Sequence, residues 1–262
     1  MKTKNIFILI LLVCLSVPAT LFAQSPEYRE ESENDFQFRV GAEIEKKFAR
    51  KFAFHWSEEL RIKNSFQDID KIYSDLGLSY KPLNWLKLNL NYTFISMYHD
   101  GKKKTNYEKY WDLRHRVSLG ATFSYKTISG WKFSLRERVL STFYTKDDFL
   151  PEEKSDPKWN LRSRIMAEYE FRHVPVTPYA YVEISNTLNA PKLADGNYID
   201  KVRTALGVQY RFDRRNSIDV FYRFDYNFDK DINIKNSTGV LKSIINKNEY
   251  NHILSVSYKF KF

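Results

Sequence analysis

A single cysteine, Cys14, occurs in 262 residues, and it lies in an apolar leader. Beyond that leader there is no thiol nucleophile, no disulfide and no cysteine-ligated metal. Glycine and proline are scarce, at eight residues each, and no Gly-rich phosphate loop occurs. The five histidines show no metal-ligand spacing, and no nucleotide motif is present. After residue 23 no apolar run approaches the roughly 20 residues of a membrane-spanning helix. Thiol, cysteine-metal and nucleotide chemistry are thereby excluded, and no cofactor, metal or catalytic residue is expected.

The leader has its own logic. "MKTKNIFILILLVCLSVPATLFAQ" places Lys2 and Lys4 before an apolar core from Ile6 to Val17, then Pro18 and a Leu21-Phe22-Ala23 end. That is the layout of a secretory signal peptide cut after Ala23. A lipoprotein reading would acylate Cys14, but Val13 is a poor fit to the small residue required before such a cysteine. The expected organisation is a signal peptide at 1–23, an N-terminal segment at 24–35 and a single domain at 36–262.

What the chain has in quantity is aromatic residues and positive charge. Tyr and Phe number 18 and 20, aromatics total 16%, and the net charge is +10, about +8 once Lys2 and Lys4 leave with the leader. Mean hydropathy is nonetheless negative, at −0.54. The pattern that reconciles these values is alternation. In "WDLRHRVSLGATFSYKT", Trp111, Leu113, Val117, Leu119, Phe123 and Tyr125 take one edge, and Asp112, Arg114, Arg116, Ser118 and Thr122 the other. Period two is the strand period.

Runs of this kind predict strands at 36–49, 52–64, 70–82, 85–98, 110–127, 131–145, 158–172, 176–189, 199–213, 216–230 and 250–262. Most reach 13 residues, against about 5–6 for an average soluble strand, and a tilted strand needs about 9–11 to cross a bilayer. Short connectors such as "PLN" and "DRRN" alternate with long ones at 99–109, 146–157, 190–198 and 231–249. Short turns at one end and long loops at the other are the layout of an outer-membrane barrel. The fold expected is all-β, an antiparallel transmembrane barrel. Eleven runs conflict with the even count of bacterial barrels, so twelve strands are expected, with ten as the alternative and "TGVLKSII" at 238–245 as the possible extra one.

The chain ends in "HILSVSYKFKF", with Tyr258, Phe260 and Phe262 on one face. This resembles the C-terminal signal that outer-membrane barrels present to their assembly machinery. "FRVGAEIEKKFARKFAFHWSEELRIKN" and "DKIYSDLGLSYKPLNWLKLNLNYTF" resemble the opening of the outer-membrane barrels grouped as domain-of-unknown-function family 2490. "RHRVSLGATF", "LRERVL" and "LRSRIMAEYEF" are similar to that family's arginine-bearing strands. The resemblance implies a β-barrel in the outer membrane of a diderm bacterium and brings no catalytic residues.

Three Arg-x-Arg pairs occupy consecutive strands: Arg114 and Arg116, Arg136 and Arg138, Arg162 and Arg164. Their parity points them into the lumen, at comparable depths, with Arg39, Arg61, Arg203, Arg211 and Arg223 joining from other strands. Guanidinium groups bind carboxylates and phosphates through paired N–H donors and stay charged, and rings of them select anions in pores. Two readings follow. The arginines form a narrow channel or binding site for small anionic solutes, or they are neutralised by Glu59, Glu168, Glu170, Asp225 and other lumen-parity acids, including Glu183, in a closed, charge-paired interior.

A lipid-modifying enzyme is the third reading. His55 and Ser57 have a suitable spacing but share lumen parity with Glu59 and Arg61. His115 lies on the apolar face and would fall opposite Ser141 if Tyr125 pairs with Trp131; Glu137 is then too distant to orient it. A serine–histidine site needs base, nucleophile and orienting group within hydrogen-bond reach, so the chain is read as no enzyme. The partners expected are outer-membrane lipids, lipopolysaccharide phosphates at the basic loop holding Lys102, Lys103 and Lys104, the assembly machinery and a small anionic solute. Nucleic acid is not among them, and the barrel is expected to be a monomer.

Overall fold

A computed structural model describes residues 27–99, 110–144, 157–189, 198–235 and 240–262. The leader, the basic loop at 102–104 and nearly all of the long connector at 146–157 lie outside these residues. Eleven strands follow in order among them: β1 (Glu27–Ala49), β2 (Phe52–Lys63), β3 (Asp68–Leu83), β4 (Leu86–His99), β5 (Tyr110–Lys126) and β6 (Trp131–Tyr144); then β7 (Lys158–Tyr169), β8 (Val176–Thr187), β9 (Tyr198–Arg211), β10 (Asn216–Lys235) and β11 (Val240–Lys261). They close into one barrel in which each strand pairs with its chain neighbours and β1 pairs with β11. No helix among the described residues is long and apolar enough to cross a membrane.

The alternating sequence sorts itself across the wall. Leu119, Ile165 and Leu206 face outward and are 63–67% exposed, while the next residue inward from Leu206, Ala205, is 4% exposed. An inside-out distribution of this kind is stable only where hydrocarbon, not water, covers the outside. Aromatic residues gather towards both rims. Phe52 stacks on Tyr80, Trp85 on Phe123 and Trp131 meets Tyr169 near the short turns, while Phe36 stacks on His252 and Tyr98 meets Trp111 towards the other end. These two belts have amphipathic rings suited to the headgroup level on each side of a bilayer.

The expected count of twelve is corrected to eleven, and the odd number has a topological consequence. Ten reversals leave β1 and β11 running the same way, so the barrel closes through a parallel pair, from Glu27↔Ser243 to Glu45↔Lys261. All other pairs are antiparallel. The proposed extra strand near 238–245 is, from Val240 on, the start of β11, and β10 extends to Lys235. The connection expected at 231–249 therefore shrinks to 236–239. β1 likewise begins at Glu27, so most of the segment expected to precede the barrel is strand. Parity survives the closure: Arg39 lies opposite Arg61 on one side and Ser255 on the other, all facing inward.

Two glycines let the lumen hold rings flat against the wall. A Cβ at Gly207 would sit 2.4 Å from the Tyr179 ring, and one at Gly77 would sit 1.9 Å from His55. Each glycine is a close-approach position where any side chain would displace its neighbour.

Candidate functional site

Strand direction divides the lumen into two levels. The end with the short turns is lined by residues early in β2, β4, β6, β8 and β10, and the opposite end by residues late in those strands. At the short-turn level lysines and acids pair. Lys259 of β11 bridges Glu43 and Glu45 of β1, the latter at 3.1 Å. Lys132 of β6 meets Glu168 of β7. The Tyr179 hydroxyl donates to Asp219 at 2.9 Å, and Asp75 accepts from Asn91 while lying 3.4 Å from His55 Nε2.

The opposite level is built of arginine. β6 and β7 are in register so that Arg136 lies directly across from Arg164, and Arg138 from Arg162. On the far side of β7, Glu183 of β8 is the partner of Arg164. Glu183 is 1% exposed and takes three guanidiniums: Arg136 at 3.1 Å, Arg164 at 2.8 Å and Arg203 of β9. Arg203 continues to Asp225 of β10 at 3.3 Å, and Arg223 holds Asp225 at 2.7 Å. Across the lumen Glu59 meets Arg61 and, at 3.9 Å, Arg39. Two tyrosines position the forks. Arg164 lies 3.9 Å over the Tyr181 ring and Arg61 3.8 Å over Tyr73. Stacking of this kind holds a planar guanidinium while leaving its edge donors free.

Between these groups is a cavity of about 340 Å³. Among the described residues nine arginines and three lysines line it, against two carboxylates, Glu183 and Asp200. Counting the described acids that reach lining residues from behind the cavity, namely Glu59, Asp70, Asp112 and Asp225, cations among the described residues still outnumber carboxylates twofold. A second cavity of about 310 Å³, nearer the long-connection end, shares Arg39, Arg61, Lys71, Lys201 and Arg203 with the first. Glu33, Asp35, Asp70, Asp225 and Glu249 give it a mixed lining.

All six arginines of the three pairs face the lumen, and none meets the lipid face. Their depths differ. Arg116 pairs with Thr142, four residues along β6 from Arg138, and Arg114 with Tyr144. The β5 pair is thus offset from the other two, and Arg114 is taken up by Asp112 of its own strand, at 2.8 Å. Arg116 donates to the Thr142 hydroxyl at 3.0 Å. Arg39, Arg61, Arg203 and Arg223 join the chamber as expected, whereas Arg211 ends β9 at the short turns.

Of the expected counter-charges, Glu59 and Asp225 pair with arginines. Glu168 and Glu170 do not, a correction with a simple cause: both lie at the short-turn end of β7, within reach of Lys132 and Lys126. The hydrogen bond from Lys126 holds the Glu170 carboxyl below the usual carboxylate range. Glu183, one lumen-parity acid among many in the sequence, is the hub. Its signal was its place between the Arg-x-Arg strand β7 and Arg203 of β9, legible only once β7, β8 and β9 are set in register.

The serine–histidine alternative meets a different register. Tyr125 pairs with Phe133, so His115 faces Phe143, and Ser141 faces Val117. His115 Nδ1 instead lies 2.6 Å from the Tyr92 hydroxyl, an arrangement repeated by His252 and Tyr222, also at 2.6 Å. Glu137 accepts from Ser163 at 2.6 Å. His55 and Ser57 stay in the lumen, Ser57 in register with Asp75.

Solved structures with a similar chain path include the β domain of the Bordetella autotransporter BrkA, at TM-score 0.43 and 11% identity, covering 82% of this chain and 86% of that one. OmpT, an outer membrane protein of Vibrio cholerae, gives TM-score 0.40 at 11% identity, covering 76% and 57%. An anion-selective porin from Comamonas acidovorans gives 0.35 at 12% identity, covering 79% and 54%. No curated protein sequence matches the chain. Residues 36–236 match the family described as protein of unknown function DUF2490, and the chain belongs to that family of β-barrels.

Proposed function

We propose that this barrel resides in the outer membrane of a diderm bacterium and binds small anionic solutes in its arginine-rich chamber. The leader at 1–23 directs export and is removed, and the strand ending in Tyr258, Phe260 and Phe262 engages the assembly machinery. The long connections face outward, where they meet lipopolysaccharide, so solutes enter through the mixed-charge cavity. The observation that carries this reading is the excess of cations around one cavity among the described residues, twelve against two lining carboxylates and four more behind the lining. A concave surface of one sign, walled by low dielectric, concentrates counter-ions.

A second reading, a charge-paired barrel closed to solutes, draws on the Glu183 hub and the ion pairs at the short-turn level. Those pairs favour a binding barrel or a very narrow path over a wide pore. Catalysis has no place in the reading, because the lipid-facing histidines meet tyrosine rather than serine. Reversal potentials in planar bilayers, together with calorimetric titration of chloride, acetate and phosphate into the folded barrel, test the proposal. Anion binding or anion preference is expected; a cation preference, or no uptake of any anion, overturns it.

A further inference from the structure

The lower of the two arginine rungs shows what such a rung holds. Arg136 and Arg164 face each other across β6 and β7, and like charges directly opposite are destabilising in a sheet. Glu183 resolves that repulsion from the next strand, and its two oxygens are occupied by Arg136, Arg164 and Arg203. A carboxylate offers about four lone-pair sites, so Glu183 is committed to its own rung.

One step towards the long-connection end, Arg138 and Arg162 repeat the arrangement without the acid. The residue opposite Arg162 on β8 is Ser185, and the residue opposite Arg138 on β5 is Gly120. Neither guanidinium makes an ion pair with a described carboxylate, and the Nε of each is buried without a hydrogen-bond partner. Buried donors left unmade are costly. Both arginines line the 340 Å³ cavity, as does Arg116, whose Nε donates to the neutral hydroxyl of Thr142.

Resting on the anion reading above, we propose that the chamber takes a multivalent oxyanion of the phosphate class, seated between Arg138 and Arg162 on adjacent strands. Arg116 of β5 lines the same cavity four residues further along the wall. A tetrahedral dianion presents three or more oxygens to donors arriving from separate walls and neutralises two charges at once. A monocarboxylate repeats only what Glu183 already does, and a halide offers nothing for a fork to grip. Arg–phosphate pairs of this kind are commonly bidentate.

The test uses the full barrel folded in detergent micelles, with inorganic phosphate and pyrophosphate as probes and acetate and chloride as competitors. Wild type is expected to bind phosphate or pyrophosphate at least tenfold more tightly than acetate or chloride. The double variant R138K/R162K keeps the charge and loses the fork, so the phosphate-over-chloride preference is expected to fall at least tenfold. Equal affinities for phosphate and acetate, or an undiminished preference in the lysine variant, overturn this site while leaving an anion-binding lumen standing. Failure of every anion to bind overturns both. A single variant, R138Q, supplies a second readout should the double variant not fold. Without phosphate it is expected to unfold at a higher temperature than wild type, because one repelling charge is gone. Added phosphate should raise the wild-type midpoint and leave that of R138Q nearly fixed. A lower R138Q midpoint, or equal stabilisation of both by phosphate, overturns the site.

Discussion

The two levels of the lumen solve the same problem with different residues. Near the short turns the cations are mainly lysines, of which Lys259 pairs with Glu43 and Glu45 and Lys132 with Glu168. Nearer the long connections they are mainly arginines that share a few acids among many, with Glu183 serving three. An ammonium is a compact, strongly hydrated point charge, whereas a guanidinium is planar, weakly hydrated and able to stack and fork. Lysine–acid pairs therefore brace the wall and offset one another's charge. The arginine level keeps a surplus of positive charge among the described residues, with two of its guanidiniums stacked on tyrosines.

The largest expected effect breaks the contrast at its hub. Glu183→Gln leaves three guanidiniums, buried Arg203 among them, without their shared carboxylate and should cost about 3–5 kcal/mol, the usual penalty for removing one partner of a buried ionic group. Urea unfolding of the refolded barrel would measure it, and a change below about 1 kcal/mol would show that the arginines are already solvated.

At the braced level, Gly207→Val drives a side chain into the Tyr179 ring and loosens its hydrogen bond to Asp219. Overpacking of this kind costs about 1–3 kcal/mol, read by the same unfolding curves. Retained wild-type stability would show that Tyr179 has room to move.

The double replacement K132M/E168M should change stability by less than about 1 kcal/mol, since removing both partners of a pair leaves no orphaned charge. A loss approaching that of Glu183→Gln would erase the distinction between the two levels.

The smallest effect lies at the turn between β9 and β10. Asp213 accepts hydrogen bonds from the Asn216 side chain and the backbone N–H groups of Arg215 and Asn216, which hold its carboxyl below the usual carboxylate range. A depressed folded-state value means that its contribution is present above the unfolded value, about 3.9, and is lost as pH falls through the folded one. Asp213→Asn should therefore lower the melting temperature slightly at neutral pH and converge with wild type in acid. A difference that persists unchanged at low pH would remove the carboxylate from the explanation.

Much of this was legible in alternate residues. The outward positions of β5, Leu113, Val117, Leu119 and Phe123, and the inward Arg114 and Arg116, follow from the alternation alone. The same parity placed His55 and Ser57 in the lumen. What parity could not supply was offset between strands. A two-residue difference in the β5–β6 turn register moved His115 from Ser141 to Phe143, and the four-residue offset of Arg116 from Arg138 broke an apparently level band. Both shifts preserve the facing of every side chain, so nothing in the pattern could betray them.

Side-chain direction and the lipid-facing surface were set by the sequence itself, because a pleated strand bordered by hydrocarbon and water admits only one sorting of apolar and polar residues. Depth, pairing and closure belonged to the tertiary structure. Hydrogen-bond register between strands and the parallel β1–β11 seam together decide which charges meet. They gave Arg136 and Arg164 a shared acid in Glu183 and set Arg138 and Arg162 opposite glycine and serine.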